Sequence, residues 1–151
     1  MRLPVPGGEI LLIDESYNAN PASMRAALAV LGQTERSGHG RRIAVLGDML
    51  ELGPSGRELH RGLADSIEEN DIDLAFCCGP LMRSLWETLS PQRRGGYAPT
   101  SAQLEAHVLA AARAGDSVMV KGSLGSRMAG IVKALELHHQ REPAAALGLQ
   151  A

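Results

Sequence analysis

Short apolar runs alternate with amphipathic segments along this chain. The apolar runs lack the two-residue alternation of half-exposed strands, which predicts strands that are buried on both faces. These predicted strands lie at 10–13, 43–46, 74–78 and 117–120. Each is followed by a polar or glycine-containing turn and then by apolar residues at the spacing of a helix face. The predicted helices cover approximately 21–31, 55–67, 81–89, 101–115 and 128–135.

This succession of strands and helices predicts an α/β fold with a doubly wound, mostly parallel sheet between two layers of helices. The segment Arg2–Val5 and the residues from Glu9 onward flank a Pro-Gly-Gly turn, which predicts a hairpin and an antiparallel edge strand. A weaker strand is expected at 96–98. We predict one domain over residues 1–137 and a frayed, alanine-rich tail over 138–151.

Composition narrows the class of protein. The chain has 151 residues, of which 44% are hydrophobic and 21% charged, and its net charge is −2 at pH 7. These values are typical of a globular domain with its own core. No basic stripe predicts a nucleic-acid surface, and no apolar run is long enough to span a membrane. Cys77 and Cys78 lie side by side in an apolar run, which favours buried thiols of a cytoplasmic protein over a disulfide, metal or redox pair.

The richest chemistry follows the first predicted strand. The segment 14–21 reads Asp-Glu-Ser-Tyr-Asn-Ala-Asn-Pro and combines carboxylates, a hydroxyl, a phenol and two amides in one loop. Asn20 suits the cap of a helix that begins at Pro21. A cap needs only one polar residue, and the ligands of open α/β sheets bind where strands end. We therefore predict a ligand site that includes Asp14, Ser16, Tyr17, Asn18, Asn20 and Pro21.

Two further loops are expected at the same edge of the sheet, because right-handed crossovers bring the ends of parallel strands together. Asp48 and Glu51 could bind a cation, a ribose hydroxyl or an ammonium group, or could serve only the positive end of a helix. Lys121, Gly122 and Ser123 lie between a strand and a helix, a pattern that favours an anion such as phosphate or carboxylate. The alternative is a lysine that lies along the surface beside a glycine turn.

His60 lies in the next predicted helix, where Ser55 and Glu58 have the spacing of a capping box. The imidazole could act as a base or a hydrogen-bond donor, although a packing or surface histidine is the simpler interpretation. The sequence contains no G-x-S-x-G elbow, no Walker-type phosphate loop and no G-x-G-x-x-G after the first strand. It therefore carries none of the usual means of binding ATP or NAD alone, and we expect one wall of a larger site.

The segments 14–24, 45–53 and 120–123, together with His60, resemble the carboxyl-terminal domain of the Mur ligases. Two motifs of this chain are similar to those of the branch of this family that adds D-alanyl-D-alanine to UDP-MurNAc-tripeptide. They are Ser-Tyr-Asn-Ala-Asn-Pro and Gly-Asp-Met-x-Glu-Leu-Gly. The likeness extends over residues 8–136. Glu15 stands where the family usually has aspartate, and the carboxylate is kept. The resemblance implies a Rossmann-like fold and a cytoplasmic step in peptidoglycan precursor synthesis.

The resemblance also implies a reaction and its partners. ATP would phosphorylate the terminal carboxylate of the tripeptide, and the amine of D-alanyl-D-alanine would attack the acyl phosphate to form an amide. ATP and Mg²⁺ would be bound mainly by a central domain that is absent from this chain, as is the UDP-sugar domain, so this domain alone is expected to be inactive. The loop Asn18–Pro21 would face the nucleotide and the reaction centre. Lys121 and Ser123 would face carboxylate or phosphoryl groups, and Asp48 and Glu51 are inferred to be supports or ammonium partners.

Interpretations of different classes stay open at this point. One is a ligase domain that shares its site with other domains. The other is a stand-alone module that binds a nucleotide or an amino acid without catalysis. A structural interaction domain would be expected to have eroded loops, and these loops are intact. A related ligase with another amino-acid substrate is disfavoured by the Ser-Tyr-Asn-Ala-Asn-Pro loop.

Overall fold

The computed structural model describes residues 1–36 and 38–150, with side chains through His139. Within these residues, six strands form one sheet: β1 (Arg2–Val5), β2 (Gly8–Glu15), β3 (Arg42–Gly47), β4 (Leu74–Cys78), β5 (Arg94–Ala98) and β6 (Ser117–Lys121). The helices are α1 (Pro21–Gly32), α2 (Gly56–Arg61), α3 (Leu63–Glu69), α4 (Met82–Thr88), α5 (Ser101–Ala111) and α6 (Ala129–Gln150). In the structure α6 continues through residues 138–150, although the side chains after His139 lie outside the described residues. The predicted fraying of 138–151 stays a prediction.

The strand order is β1-β2-β6-β3-β4-β5. β1 pairs antiparallel with β2 through a hairpin in which Val5 lies opposite Gly8, and the other neighbouring strands are parallel. The predicted doubly wound sheet with an antiparallel edge strand is therefore confirmed, as is the weaker strand, which is β5. Because β6 inserts between β2 and β3, the loops that follow these three strands are neighbours at the carboxyl edge of the sheet.

Apolar layers cover both faces of the sheet. One layer contains residues of α1, α3 and α4, and the other contains residues of α5 and α6. In β3, Ile43 and Val45 face one layer while Ala44 and Leu46 face the other, so every residue of the run is buried. This two-sided burial explains why the strands lack alternation. No helix in the described part of the chain is long and apolar enough to cross a membrane.

The start of α1 confirms the predicted cap. The Asn20 side-chain oxygen accepts a hydrogen bond from the Ser23 N–H at 2.9 Å, and the Ser23 hydroxyl accepts one from the Asn20 N–H at 3.0 Å. Pro21 occupies the first position of the helix, where its missing N–H is not needed. The capped first helix therefore begins directly after the polar loop.

The helix predicted over 55–67 differs from the structure. Ser55 makes no side-chain cap bond with Glu58 or the helix backbone, so the predicted capping box is wrong. Ser55 ends a tight turn with φ −84° and ψ 5°, whereas a capping side chain needs an extended backbone. The segment also divides at Gly62 into α2 and α3. The helix predicted over 101–115 ends earlier, at Ala111.

Candidate functional site

Three loops meet at the carboxyl edge of the sheet. We call them the first loop (14–21), the second loop (47–53) and the third loop (121–127). Ser123 connects all three. Its N–H donates to the Asp48 carbonyl at 3.1 Å, its hydroxyl accepts the Leu50 N–H at 2.8 Å, and the same hydroxyl donates to the Ala19 carbonyl at 3.4 Å. The predicted convergence of the three loops is thus present, and Ser123 lies at its centre.

The first loop divides into residues that shape it and residues that it presents. The Asp14 carboxylate accepts hydrogen bonds from the N–H and the hydroxyl of Ser16, at 3.0 and 2.5 Å, and Ser16 is buried. Tyr17 is 57% exposed, and its hydroxyl reaches the Glu15 carboxylate at 3.4 Å. The Asn18 side chain is exposed and makes no hydrogen bond to the described residues. Tyr17 and Asn18 are therefore the groups this loop offers to a ligand.

In the second loop, Asp48 supports a neighbouring helix. Its carboxylate is buried and accepts the N–H groups of Leu81 and Met82, at 3.2 and 2.7 Å, where α4 begins. Gly79, with φ +105°, passes so close that a Cβ there would overlap the Asp48 carboxylate. Glu51 is exposed and makes no hydrogen bond or ion pair within the described residues. Of the two carboxylates, only that of Glu51 is available to an ammonium group.

His60 of α2 holds the second loop through a hydrogen bond to its backbone. Its side chain is fully buried, and its Nε2 accepts the Met49 N–H at 2.9 Å. Its Nδ1 lies 2.6 Å from the Gly56 carbonyl. Since Nε2 accepts, the proton must reside on Nδ1, which donates to Gly56. His60 is therefore a packing residue that fixes the loop, and it does not open onto the site.

Lys121 does not lie along the surface. Its side chain is only 2% exposed, its Nζ donates to the Asn18 carbonyl at 3.0 Å, and Nζ is 3.7 Å from the Glu15 carboxylate. Gly122 is equally constrained, since an added Cβ would lie 2.5 Å from the Ser126 hydroxyl and 2.6 Å from Met128 Cγ. The Lys-Gly-Ser segment thus contacts the other loops of the protein itself. Its predicted contact with a substrate anion stays a prediction.

A cleft of about 420 Å³ opens between the three loops, and we call it the front cleft. It is lined by Tyr17, Asn18, Ala19, Leu50, Glu51, Ser123, Leu124 and Gly125. Leu50 and Leu124 are 39% and 73% exposed and were not among the predicted site residues. The signal that could have found them is an apolar residue within a polar loop after a strand. A carboxylate, an amide, a hydroxyl and two apolar side chains suit a small amphipathic molecule with an ammonium group.

A second cavity, of about 570 Å³, lies beside the front cleft. Asp48 and Cys78 contribute to its walls, together with the start of α5 and Arg127, which has φ +59°. Burial raises the pKa of Cys78 to about 12 and raises that of Cys77 as well. Both thiols are buried, as the sequence predicts, and they stay protonated near neutral pH.

Comparison with known proteins gives one family model and several relatives. Residues 2–124, which include all six strands, match the model described as Mur ligase, glutamate ligase domain. The chain is 34% identical to the UDP-N-acetylmuramoyl-tripeptide–D-alanyl-D-alanine ligase of Bacillus subtilis over 82% of its own length and 27% of that protein. It is 32% identical to the protein of the same name from Escherichia coli over 83% and 27%. The chain thus spans about a quarter of the length of these curated relatives.

Solved structures share the fold. The MurF ligase from Thermotoga maritima in complex with ADP has a TM-score of 0.73 at 21% identity, covering 93% of this chain and 30% of that one. A crystal structure of MurF from Acinetobacter baumannii has a TM-score of 0.72 at 26% identity, covering 90% and 29%. At 21% identity, the likeness to the Thermotoga maritima structure concerns the fold alone, and the matched region covers 93% of this chain.

Proposed function

Because the chain belongs to the Mur ligase family, we propose that it is the carboxyl-terminal domain of an ATP-dependent ligase that joins D-alanyl-D-alanine to UDP-MurNAc-tripeptide. Two relatives with that name align with more than four fifths of the chain. The observation that carries the proposal is the front cleft, because most of its lining residues lie in the segments that resemble this family. The step would belong to peptidoglycan precursor synthesis in the cytoplasm.

The front cleft is proposed to receive the amine substrate. Glu51 supplies an exposed carboxylate for the ammonium group of D-alanyl-D-alanine, while Leu50 and Leu124 supply apolar surface for its methyl groups. The Ser123 hydroxyl is already engaged with the first and second loops, so it holds the cleft in shape. The domain would bind and orient the dipeptide so that its amine meets the activated carboxylate.

The first loop is proposed to face the nucleotide. Tyr17 offers an exposed ring face and Asn18 an exposed amide with free donor and acceptor groups, which suit an adenosine moiety. ATP, when bound, supplies the phosphoryl group that activates the tripeptide carboxylate. The described residues contain no cluster of three or more metal-ligating side chains. We propose that Mg²⁺, the phosphates and the UDP-sugar are held mainly by other domains of the same polypeptide.

The test is a ligation assay on the full gene product that contains this chain. It is supplied with ATP, Mg²⁺, UDP-MurNAc-tripeptide and D-alanyl-D-alanine, and mass spectrometry should detect the dipeptide-extended product and ADP. Glu51→Gln should raise the KM for the dipeptide about tenfold with the KM for ATP unchanged, since a charge-assisted contact is lost. Glu69→Gln, an exposed change on α3, is the control.

Two outcomes would overturn the proposal. An amide formed with another amino acid but not with the dipeptide would assign the chain to a different ligase. If the full gene product binds ADP or the dipeptide but forms no product in this ligation assay, the non-catalytic binding module would be favoured.

A further inference from the structure

We propose that Lys121 is a positioning residue, which fixes the first loop through the backbone of Asn18 and does not itself bind substrate. Its consequence for catalysis rests on the proposed ligase function, because only then does the first loop face a nucleotide. Its geometry does not depend on that function. The position of this lysine after a strand suggests that its ammonium group binds a substrate anion. We propose that the ammonium group instead binds the first loop of the protein itself.

The burial of Lys121 determines where its charge can act. The residue ends β6, where it lies between Glu15 of β2 and Leu46 of β3 in the sheet register. A buried ammonium group without partners is strongly unfavourable, so its contacts must compensate its lost hydration. Those contacts are the Asn18 carbonyl at 3.0 Å and the Glu15 carboxylate at 3.7 Å. Both belong to the end of β2 and the loop that follows it.

The third loop holds the first loop at a second point. The Ser123 hydroxyl donates to the carbonyl of Ala19, the residue after Asn18. The carbonyls of two successive residues are therefore held by the side chains of Lys121 and Ser123. Gly122, which lies between Lys121 and Ser123, has no room for a Cβ, and its backbone packs directly against the end of β3. The whole Lys-Gly-Ser segment is explained by contacts to the protein.

The groups that the loop presents lie at, or directly before, two anchors. On one side, Lys121 and Ser123 hold the carbonyls of Asn18 and Ala19. On the other side, the Asn20 side chain caps α1. Asn18 is itself one of the anchored residues, and its exposed side chain lines the front cleft, whereas Lys121 does not line it. The lysine thus sets the orientation of the groups that meet a ligand.

The chain offers a matched control, because it has only two lysines, Lys121 and the exposed Lys133 of α6. Lys121→Met keeps most of the aliphatic stem and removes the ammonium group. In the isolated chain without substrate, the backbone ¹⁵N order parameters of residues 17–19 should fall from rigid values near 0.85 to below about 0.6. Residues of β3 and β4 should not change, and Lys133→Met should leave the whole chain unaltered. A first loop that stays rigid in Lys121→Met would overturn the proposal.

A second measurement needs no variant. Reductive methylation of the wild-type chain should modify Lys133 at least about tenfold faster than Lys121, because an ammonium group that is buried and hydrogen-bonded is protected. Equal rates would mean that the Lys121 ammonium group is open to solvent and able to meet a substrate anion, which would overturn the proposal even if Lys121→Met fails to fold. Neither experiment involves turnover, so its result is independent of the ligation assay.

Discussion

Replacing Asp48 by asparagine should destabilise the domain by about 2–3 kcal/mol. Asp48 is 6% exposed, and its two carboxylate oxygens accept the N–H groups of Leu81 and Met82. The first N–H groups of a helix have no partner within the helix, so the start of α4 depends on an acceptor from elsewhere. The carboxylate also interacts favourably with the positive end of the helix dipole.

The magnitude follows from what asparagine can still do. Its amide oxygen can accept one of the two N–H groups, but its amide nitrogen is a donor and would face the other. A hydrogen bond to a charged acceptor contributes about 1.5–3 kcal/mol, and a buried donor left without a partner costs about 1–3 kcal/mol. These figures describe the same loss and are not additive. With a urea m-value near 2 kcal/mol/M, the unfolding midpoint should fall by about 1–1.5 M.

Glu51→Gln is the matched control for Asp48→Asn. It makes the same change of charge in the same loop, but its side chain is exposed and makes no contact within the described residues. We expect its free energy of unfolding to stay within about 0.5 kcal/mol of wild type. If the two variants have urea midpoints within about 0.3 M of each other, the Asp48 carboxylate does not cap α4 in solution.

Three further changes test other parts of the structure. Gly122→Ala should lower the free energy of unfolding by about 1–3 kcal/mol in the same urea assay, because the added Cβ overlaps the third loop; an unchanged midpoint would contradict that close packing. Burial raises the pKa of Cys78 to about 12, so a thiol reagent at about pH 8 should react only after denaturation, and rapid reaction of the native protein would refute the burial. The Ser90 hydroxyl holds the pKa of Glu68 below its usual value of 4.5, so this stabilisation is present above that value and is lost as pH falls through the lower, folded-state pKa. Urea midpoints between about pH 6 and pH 3 should therefore fall less steeply in Glu68→Gln than in Glu69→Gln, and equal slopes would count against the Ser90 contact.

Features that depend on neighbouring residues could be predicted from the sequence. A strand buried on both faces needs apolar residues at every position, and the run Ile43–Leu46 satisfies this locally. The Asn20 cap is equally local, because its partner lies three residues away. Ser55 shows the limit of this reasoning. Its spacing to Glu58 is that of a capping box, but the turn that precedes α2 sets a backbone conformation in which the side chain cannot cap.

The partners of the site residues could not be predicted, because they lie far away in the sequence. Asp48 accepts N–H groups 33 and 34 positions later, and Lys121 donates to a carbonyl 103 positions earlier. A carboxylate or ammonium group after a strand has the same local pattern whether it meets a ligand or a neighbouring loop. Only the packing of the three loops decides between these roles, and for Asp48 and His60 the contacts are with the protein.

The position of β6 has a consequence for synthesis of the chain on the ribosome. β2 and β3 do not pair with each other, and each pairs with β6, whose first residue, Ser117, lies opposite Leu11 and Arg42. Until residues 117–121 emerge, the nascent chain can form only two sheet fragments with open edges, which are prone to wrong pairing. Pairing over such a separation is also slow. The strand that closes the sheet carries Lys121 and leads into Ser123, so a partly synthesised chain has neither the closed sheet nor the assembled cleft, and both are completed in the same step.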